Sequence, residues 1–294
     1  MKYKPMQLLM TEKEFSTLKT IIEESFGLSL KTHTKETLAK KTLPRLTTLR
    51  LKSFSEYIAY VTEGPLAKAE LHALPSYIMN TESYFLLEYA QLQLFADLFM
   101  KKKKEKVFLS DRTLSVLSAG CAEGQEPYST SMILQSATDN LPGWGISIYG
   151  LDVNVFALEK AQHGVYGSYS LRGPNTDKIA HFFQKTRSTS CDTPRECHRL
   201  KPEIVRRVEY RHGNILHPLV LQGLDKLDFI FCRNVLIYMS PRAVDEIVMN
   251  LWEALADDGY LFVGQSESLR KYEDLFIGQQ QHPDVTVYLK RRTK

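Results

Sequence analysis

The stretch Leu114-Ser-Val-Leu-Ser-Ala-Gly-Cys-Ala-Glu-Gly-Gln-Glu-Pro-Tyr-Ser129 reads as a strand, a tight loop and a helix in immediate succession. Leu114 to Ser118 is a short apolar run of the kind that becomes a buried strand. Small residues follow, Ser118-Ala119-Gly120-Cys121-Ala122-Glu123-Gly124, and let a ligand approach the backbone closely. Glu126-Pro127 then opens a helix, because proline suits an early helical position and an acid there interacts favourably with the helix dipole. Gly120 and Gly124 are spaced G-x-x-x-G, so the dinucleotide fingerprint G-x-G-x-x-G is absent.

The same alternation continues down the chain. Ile146-Ser-Ile-Tyr149 is a second strand that ends at Gly150-Leu151-Asp152, with a helix from Asn154 to Gln162. Val208-Glu-Tyr-Arg211 is a third strand, and Leu227-Asp-Phe-Ile-Phe-Cys232 a fourth whose continuous apolar character predicts a central position. A helix over about 241–256, a fifth strand at Tyr260-Leu-Phe-Val263 and a last strand at Val285-Thr-Val-Tyr-Leu289 complete the pattern. Strands alternating with helices at this spacing predict an α/β fold, a doubly wound sheet with mostly parallel strands. The connection from 263 to 285 holds no full helix, which predicts an antiparallel last strand. Residues 164–207 lack clean periodicity and read as a small excursion from the sheet.

Upstream of residue 112 the chain reads as helices. Thr11 and Glu14 make a capping box ahead of Phe15, Leu18, Ile22 and Phe26, and Gly27 stops the run. A second helix has Leu38, Leu46 and Leu49 on one side, and Ser53 caps a third bearing Phe54, Tyr57, Ile58 and Val61. Further helical segments are predicted at about 66–79 and 84–100, the latter ending in Lys101-Lys102-Lys103-Lys104, where cations suit a helix C-terminus.

Composition narrows the function classes. The 294 residues are 43% hydrophobic and 24% charged, with ordinary glycine and proline content, so fibrous and low-complexity classes are out. No apolar run approaches the roughly 20 residues of a membrane span, and Met1 to Met10 is too short of apolar residues for a signal-peptide core. A cytoplasmic protein without membrane insertion is expected. The net charge of +4 is concentrated: residues 31–52 hold seven basic residues against the single acid Glu36. Such a segment suits an acidic partner surface, or is simply a solvated helix face. Cys121, Cys191, Cys197 and Cys232 show no CxxC pairing, and Cys191, Cys197 and His198 lack a fourth ligand at zinc spacing; reduced thiols and no metal are expected.

Residues able to do chemistry sit at predicted strand ends, where doubly wound sheets bind ligands. Asp152 ends the second strand, where a carboxylate can accept both ribose hydroxyls of an adenosine; the bland alternative is a helix cap. Arg233, Asn234 and Tyr238 emerge from the buried fourth strand, and polar groups there need partners.

Three motifs resemble the CheR family of chemotaxis receptor methyltransferases. Ser118 to Ser129 looks like the family's first signature, Phe231-Cys-Arg-Asn-Val-Leu-Ile-Tyr238 like its fourth-strand signature, and Gly264-Gln-Ser-Glu-Ser268 like its G-x-S-E segment. The resemblance covers nearly the whole chain. It implies a helical N-terminal domain with a basic helix (1–80), a helical connector (81–112) and a Rossmann-like class I methyltransferase domain (113–294). It further implies S-adenosylmethionine as cofactor, with S-adenosylhomocysteine as product, and glutamate methyl esters formed on the cytoplasmic helices of methyl-accepting chemotaxis receptors. The matching cofactor positions are Thr81, Ser83, Gly120, Glu126, Asp152, Asn214, Ile215, Arg233 and Asn234, and Tyr238 matches a tyrosine near the reacting methyl.

One departure stands out. Thr81-Glu-Ser-Tyr-Phe85 matches a segment that usually reads Asn-x-Thr-x-Phe-Phe-Arg, and Leu87 stands where that arginine would be. A leucine cannot orient a carboxylate, so Arg233 or a cation of the basic helix takes that task, or catalysis is weakened. Arg233 and Tyr238 are the candidate catalytic residues, and Lys35, Lys40, Lys41 and Arg45 the candidate receptor-binding ones. Two other classes stay open: a cofactor- or receptor-binding module without turnover, motivated by Leu87, and a nucleic-acid methyltransferase. The basic helix encourages the latter, but Arg-Asn-Val-Leu-Ile-Tyr stands where base-amino enzymes carry (Asp/Asn)-Pro-Pro-aromatic, so no nucleic acid is expected.

Overall fold

The computed structural model describes residues 9–294 apart from 32, 80–81, 107–111, 139–142, 189–190, 192–195, 225, 283–284 and 293–294. The chain divides into two compact units: residues 1–80 with 238–245, and residues 81–237 with 246–294.

In the first unit the helices are α1 (Glu12–Phe26), α2 (Lys35–Leu49), α3 (Phe54–Glu63), α4 (Ala67–Ala73) and α5 (Pro75–Ile78). The Thr11–Glu14 capping box forms at the start of α1, and Gly27, at φ 71°, ends it in the left-handed conformation that glycine adopts without strain. Leu18, Ile22, Leu38, Leu46, Phe54, Tyr57 and Val61 are buried. A polar pin joins three of the helices: Glu70 of α4, 3% exposed, accepts from the Arg45 guanidinium of α2 and, at 3.0 Å, from the Tyr57 hydroxyl of α3.

The second unit comprises α6 (Tyr89–Lys106), β1 (Thr113–Ala119), α7 (Gln125–Thr138), β2 (Gly145–Asp152), α8 (Val155–His163), β3 (Val165–Gly167), β4 (Phe183–Thr186), β5 (Cys197–Leu200), α9 (Pro202–Val205), β6 (Val208–His212), β7 (Leu227–Cys232), most of α10 (Pro241–Ala254), β8 (Leu255–Val263), β9 (Phe276–His282) and β10 (Val285–Lys290). Among the described residues a seven-stranded sheet runs in the order β6-β2-β1-β7-β8-β10-β9. The first five of these strands pair in parallel, whereas β10 is antiparallel to both β8 and β9. The fold is therefore the mostly parallel doubly wound sheet with an antiparallel last strand that the sequence predicts. The direction of winding reverses between β1 and β7, which opens a crevice at their carboxyl ends.

Some local features differ from the sequence reading and others add to it. Residues 85–88 are turns rather than helix, with Leu86 and Glu88 at φ 60° and 51°, and α6 begins only at Tyr89. Tertiary bonds override the local helical pattern there: the Ser129 hydroxyl holds the Leu86 amide and the Arg233 guanidinium holds the Leu87 carbonyl. The lysines near the end of α6 do more than meet a dipole, since Lys102, 2% exposed, pairs with Asp258 at 2.8 Å and lies 3.7 Å from buried Asp228. The unpatterned stretch contains a small antiparallel sheet, β3-β5-β4, and Cys191 and Cys197 form a disulfide rather than free thiols, while Cys121 and Cys232 are free and buried. The edge strand β9, Phe-Ile-Gly-Gln-Gln-Gln-His, lacks the apolar alternation that marks a strand in sequence.

The core of this unit lies between α6 and the sheet. Phe95 meets Phe229, Phe231 and Phe262 edge-on at centroid distances of 5.0, 5.3 and 6.4 Å, and Phe231 stacks on Phe262 at 4.7 Å. This packing fixes α6 on β7 and β8 and leaves the carboxyl rim of the sheet to the loops.

Candidate functional site

The loop after β1 is built from left-handed residues: Gly120, Ala122 and Gly124 have φ of 76°, 48° and 86°. The Gly120 and Cys121 amides donate to the Leu151 carbonyl at 2.8 and 3.1 Å, which ties the loop to the end of β2. Close approach is as important as φ. A Cβ on Gly120 would lie 2.4 Å from Val235 Cγ2, and one on Gly124 would lie 2.4 Å from the Tyr210 hydroxyl oxygen. The loop therefore sits directly against the segment that follows β7.

Asp152 ends β2 and is 8% exposed. Its Oδ2 accepts from the Ala122 amide and its Oδ1 from the Asn154 amide, both at 2.8 Å. Burial pushes its pKa up, opposed by these amide bonds. Asn154, and not Asp152, caps α8. The backbone of Asp152 also receives the Gly213 amide, and the following turn is fixed by Asn214 Oδ1, which accepts from Leu216, and by Asn250, which donates to the Ile215 carbonyl at 3.0 Å. Asn214 and Ile215 thus flank the end of β2.

Arg233 follows β7 with a side chain only 2% exposed. It donates through Nη1 to Glu126 at 3.0 Å and through Nη2 to the Leu87 carbonyl at 2.7 Å, and lies 3.3 Å from Glu88. Glu126 also accepts from the Ser118 hydroxyl at 2.6 Å. Burial pushes the Glu126 pKa up, while Arg233 and Ser118 pull it down. The role expected of Arg233 changes accordingly. A buried guanidinium shared by two carboxylates of its own chain is an internal counter-ion, not a cation held ready for an incoming carboxylate. The rim gathers two carboxylates, Glu88 and Glu126, around one guanidinium, an acid excess suited to a ligand that brings positive charge. Arg233 Nε is buried without a hydrogen-bond partner.

The other expected residues fall elsewhere. Thr81 lies outside the described residues. The Ser83 carbonyl accepts from Arg172, whose guanidinium lies 4.3 Å from the Tyr84 ring centroid and 3.9 Å from that of Tyr169. Tyr238 belongs to the helical unit, where its carbonyl accepts from the Ser29 amide and its side chain lines a cavity of about 60 Å³ with Leu28, His33, Lys41 and Ile78. Of the four candidate receptor-binding cations, Lys35 pairs with Glu12 and Arg45 with Glu70, so both have internal counter-ions. Lys41 donates to the Ile78 carbonyl, and Lys40 is exposed. Sequence reasoning missed Glu88 and Glu267 as site residues. Glu88 gives no signal in one sequence, whereas the acid of Gly264-Gln-Ser-Glu267, directly after a buried strand, does.

Residues 81–284 match the family model described as CheR methyltransferase, SAM binding domain, and residues 13–78 the model described as CheR methyltransferase, all-alpha domain. The chain is 28% identical over 286 residues to a chemotaxis protein methyltransferase of Vibrio parahaemolyticus, covering 96% of this chain and 99% of that protein. It is 27% identical over 273 residues to the one of Escherichia coli (92% and 89%) and 26% over 267 residues to the one of Borreliella burgdorferi (90% and 91%). Among the described residues no helix is long and apolar enough to cross a membrane.

Proposed function

The chain belongs to the CheR methyltransferase family, and from that premise we propose that it esterifies glutamate side chains on the cytoplasmic helices of methyl-accepting chemotaxis receptors. S-adenosylmethionine supplies an activated methyl on a sulfonium and leaves as S-adenosylhomocysteine. The observation that carries the reading is the acid-rich rim around Arg233 at the point where the winding reverses. A cofactor with a sulfonium and an ammonium fits a cluster with more carboxylates than cations.

Within this reading Asp152 holds the ribose hydroxyls, since two backbone amides fix its carboxylate without exhausting its acceptor sites. Glu126, fixed by hydrogen bonds from Arg233 and Ser118, would face the ammonium. The Gly120 loop, packed against Val235, would border the cofactor together with Asn214, Ile215 and Asn234. A glutamate side chain is ionised at neutral pH, its free pKa being about 4.3, so no residue needs to act as general base. The protein's task is to align the two reacting centres and exclude water, and such alignment reaches effective molarities on the order of 10⁵–10⁸ M. The enzyme works in the cytoplasm, and its partner is a receptor rather than a nucleic acid.

A second reading has its own support. Leu87 is uncharged where the family's arginine would stand, and Arg233 is engaged by Glu88 and Glu126, which favours a member that binds cofactor and receptor with weak or no turnover. The test is transfer of labelled methyl to a receptor fragment, followed by mild base. Release of labelled methanol is expected, because an ester yields it and an amine does not. Binding of S-adenosylhomocysteine without any transfer would leave the second reading standing and overturn the first.

A further inference from the structure

Four backbone amides converge on one carboxylate beside the crevice. Glu267, on the turn after β8, accepts through Oε2 from Gly264 at 2.7 Å and Asn234 at 2.9 Å, and through Oε1 from Val235 at 2.9 Å and Ile237 at 3.2 Å. The turn is closed by the Glu267 amide, which donates to the Gly264 carbonyl. An ionised carboxylate offers about four acceptor sites, so the arrangement uses its full capacity with charge-assisted bonds.

The need for these bonds follows from the backbone. The chain leaves β7 through Asn234 in the left-handed region, at φ 57°, where neither strand nor helix bonds serve the next amides. Without an acceptor the partly buried amides of Asn234 and Val235 would be left unpaired. The packing permits nothing bulkier at the clamp: a Cβ on Gly264 would lie 2.6 Å from Asn234 Oδ1, 2.9 Å from its amide nitrogen and 3.0 Å from Glu267 Oε2. The clamped segment in turn forms one wall of the cofactor loop, through Val235 against Gly120.

We infer that Glu267 is a positioning residue for S-adenosylmethionine binding, setting residues 234–237 so that Asn234 and Val235 shape the crevice facing Gly120. The inference rests on the family's cofactor and not on the identity of the methyl acceptor. Glutamine cannot substitute, because its amide group would turn N–H donors toward two of the four backbone amides.

The experiment measures amide hydrogen exchange in the ligand-free protein and S-adenosylhomocysteine affinity by calorimetry, for wild type, Glu267→Gln and the nearby control Glu273→Gln. For Glu267→Gln the amides of Asn234, Val235, Ile237 and Gly264 should lose protection selectively, and affinity should fall about 10- to 100-fold, the range for losing charge-assisted bonds. A general destabilisation would instead expose amides across the whole sheet, and would overturn a local positioning role. Wild-type affinity in Glu267→Gln would overturn it as well. Gly264→Ala disturbs the same segment with the carboxylate intact and decides the matter if Glu267→Gln does not fold: a comparable loss of affinity supports the inference, and unchanged affinity refutes it.

Discussion

Replacing Arg233 by methionine removes the charge that Glu126 and Glu88 share while filling most of the volume. In the wild type the guanidinium is 2% exposed and lies 3.0 Å from Glu126 and 3.3 Å from Glu88. Breaking a buried pair by deleting one partner costs about 3–5 kcal/mol, because the other charge stays buried and uncompensated. The loss should depend on pH with a definite sign. Burial already raises the Glu126 pKa, and Arg233 opposes that rise; without it the folded-state value climbs further above the unfolded one near 4.3. A group with a raised folded pKa contributes stability below the unfolded pKa and loses it as pH rises through the folded pKa. The variant should therefore be hurt most at pH 8 and partly recover at pH 5, by at most about 1.4 kcal/mol for each pH unit that lies below the raised pKa. Urea unfolding of wild type and variant at the two pH values measures both quantities. A loss below about 1 kcal/mol at pH 8, or equal losses at both pH values, would refute the assignment of Arg233 as buried counter-ion.

Three further outcomes are expected. Burial raises the pKa of both Glu126 and Asp152 in the free protein, whereas a bound ammonium favours the ionised carboxylate, so cofactor binding should release protons and weaken as pH falls toward the carboxylate range; calorimetry of S-adenosylhomocysteine binding at pH 5.5 in buffers of different ionisation enthalpy detects the release, and identical apparent enthalpies would contradict it. In the helical unit Arg45→Ala should cost about 3 kcal/mol of stability by stranding buried Glu70, whereas Lys40→Glu should change stability by less than about 0.5 kcal/mol yet slow receptor methylation with cofactor affinity unchanged; thermal melts and initial rates separate the two roles.

Local pattern was enough for most of the main sheet and for the tight loop after β1. Apolar runs such as Leu227–Cys232, the small-residue loop at Ser118–Gly124 and the acid at Asp152 are dictated by near neighbours in the chain, so strand, loop and rim were legible from Leu114 onward. Basic character alone misjudged the second helix, because a lysine or arginine looks the same in sequence whether it faces solvent or, like Arg45, a buried glutamate 25 residues away. Nor could the polar edge strand β9 announce itself, since its pairing with β10 supplies what its side chains do not.

Charge balance at the rim belongs entirely to the folded chain. Arg233 meets a carboxylate from 107 residues away and a carbonyl from 146 residues away, and Glu267 collects amides some 30 residues distant. Those partners are chosen by desolvation: once the sheet buries a polar group, it must pair with whatever the packing brings within reach. The amino-acid sequence by itself determined the alternation of strands and helices from Leu114 onward and the helical character of the chain before it, because periodicity and turn chemistry are local. Only the tertiary structure decided that Arg233 pairs with Glu88 and Glu126, that residues 85–88 are held out of the helix, and that Glu267 gathers the amides of Asn234, Val235 and Ile237, because each of these rests on contacts between residues far apart in the chain.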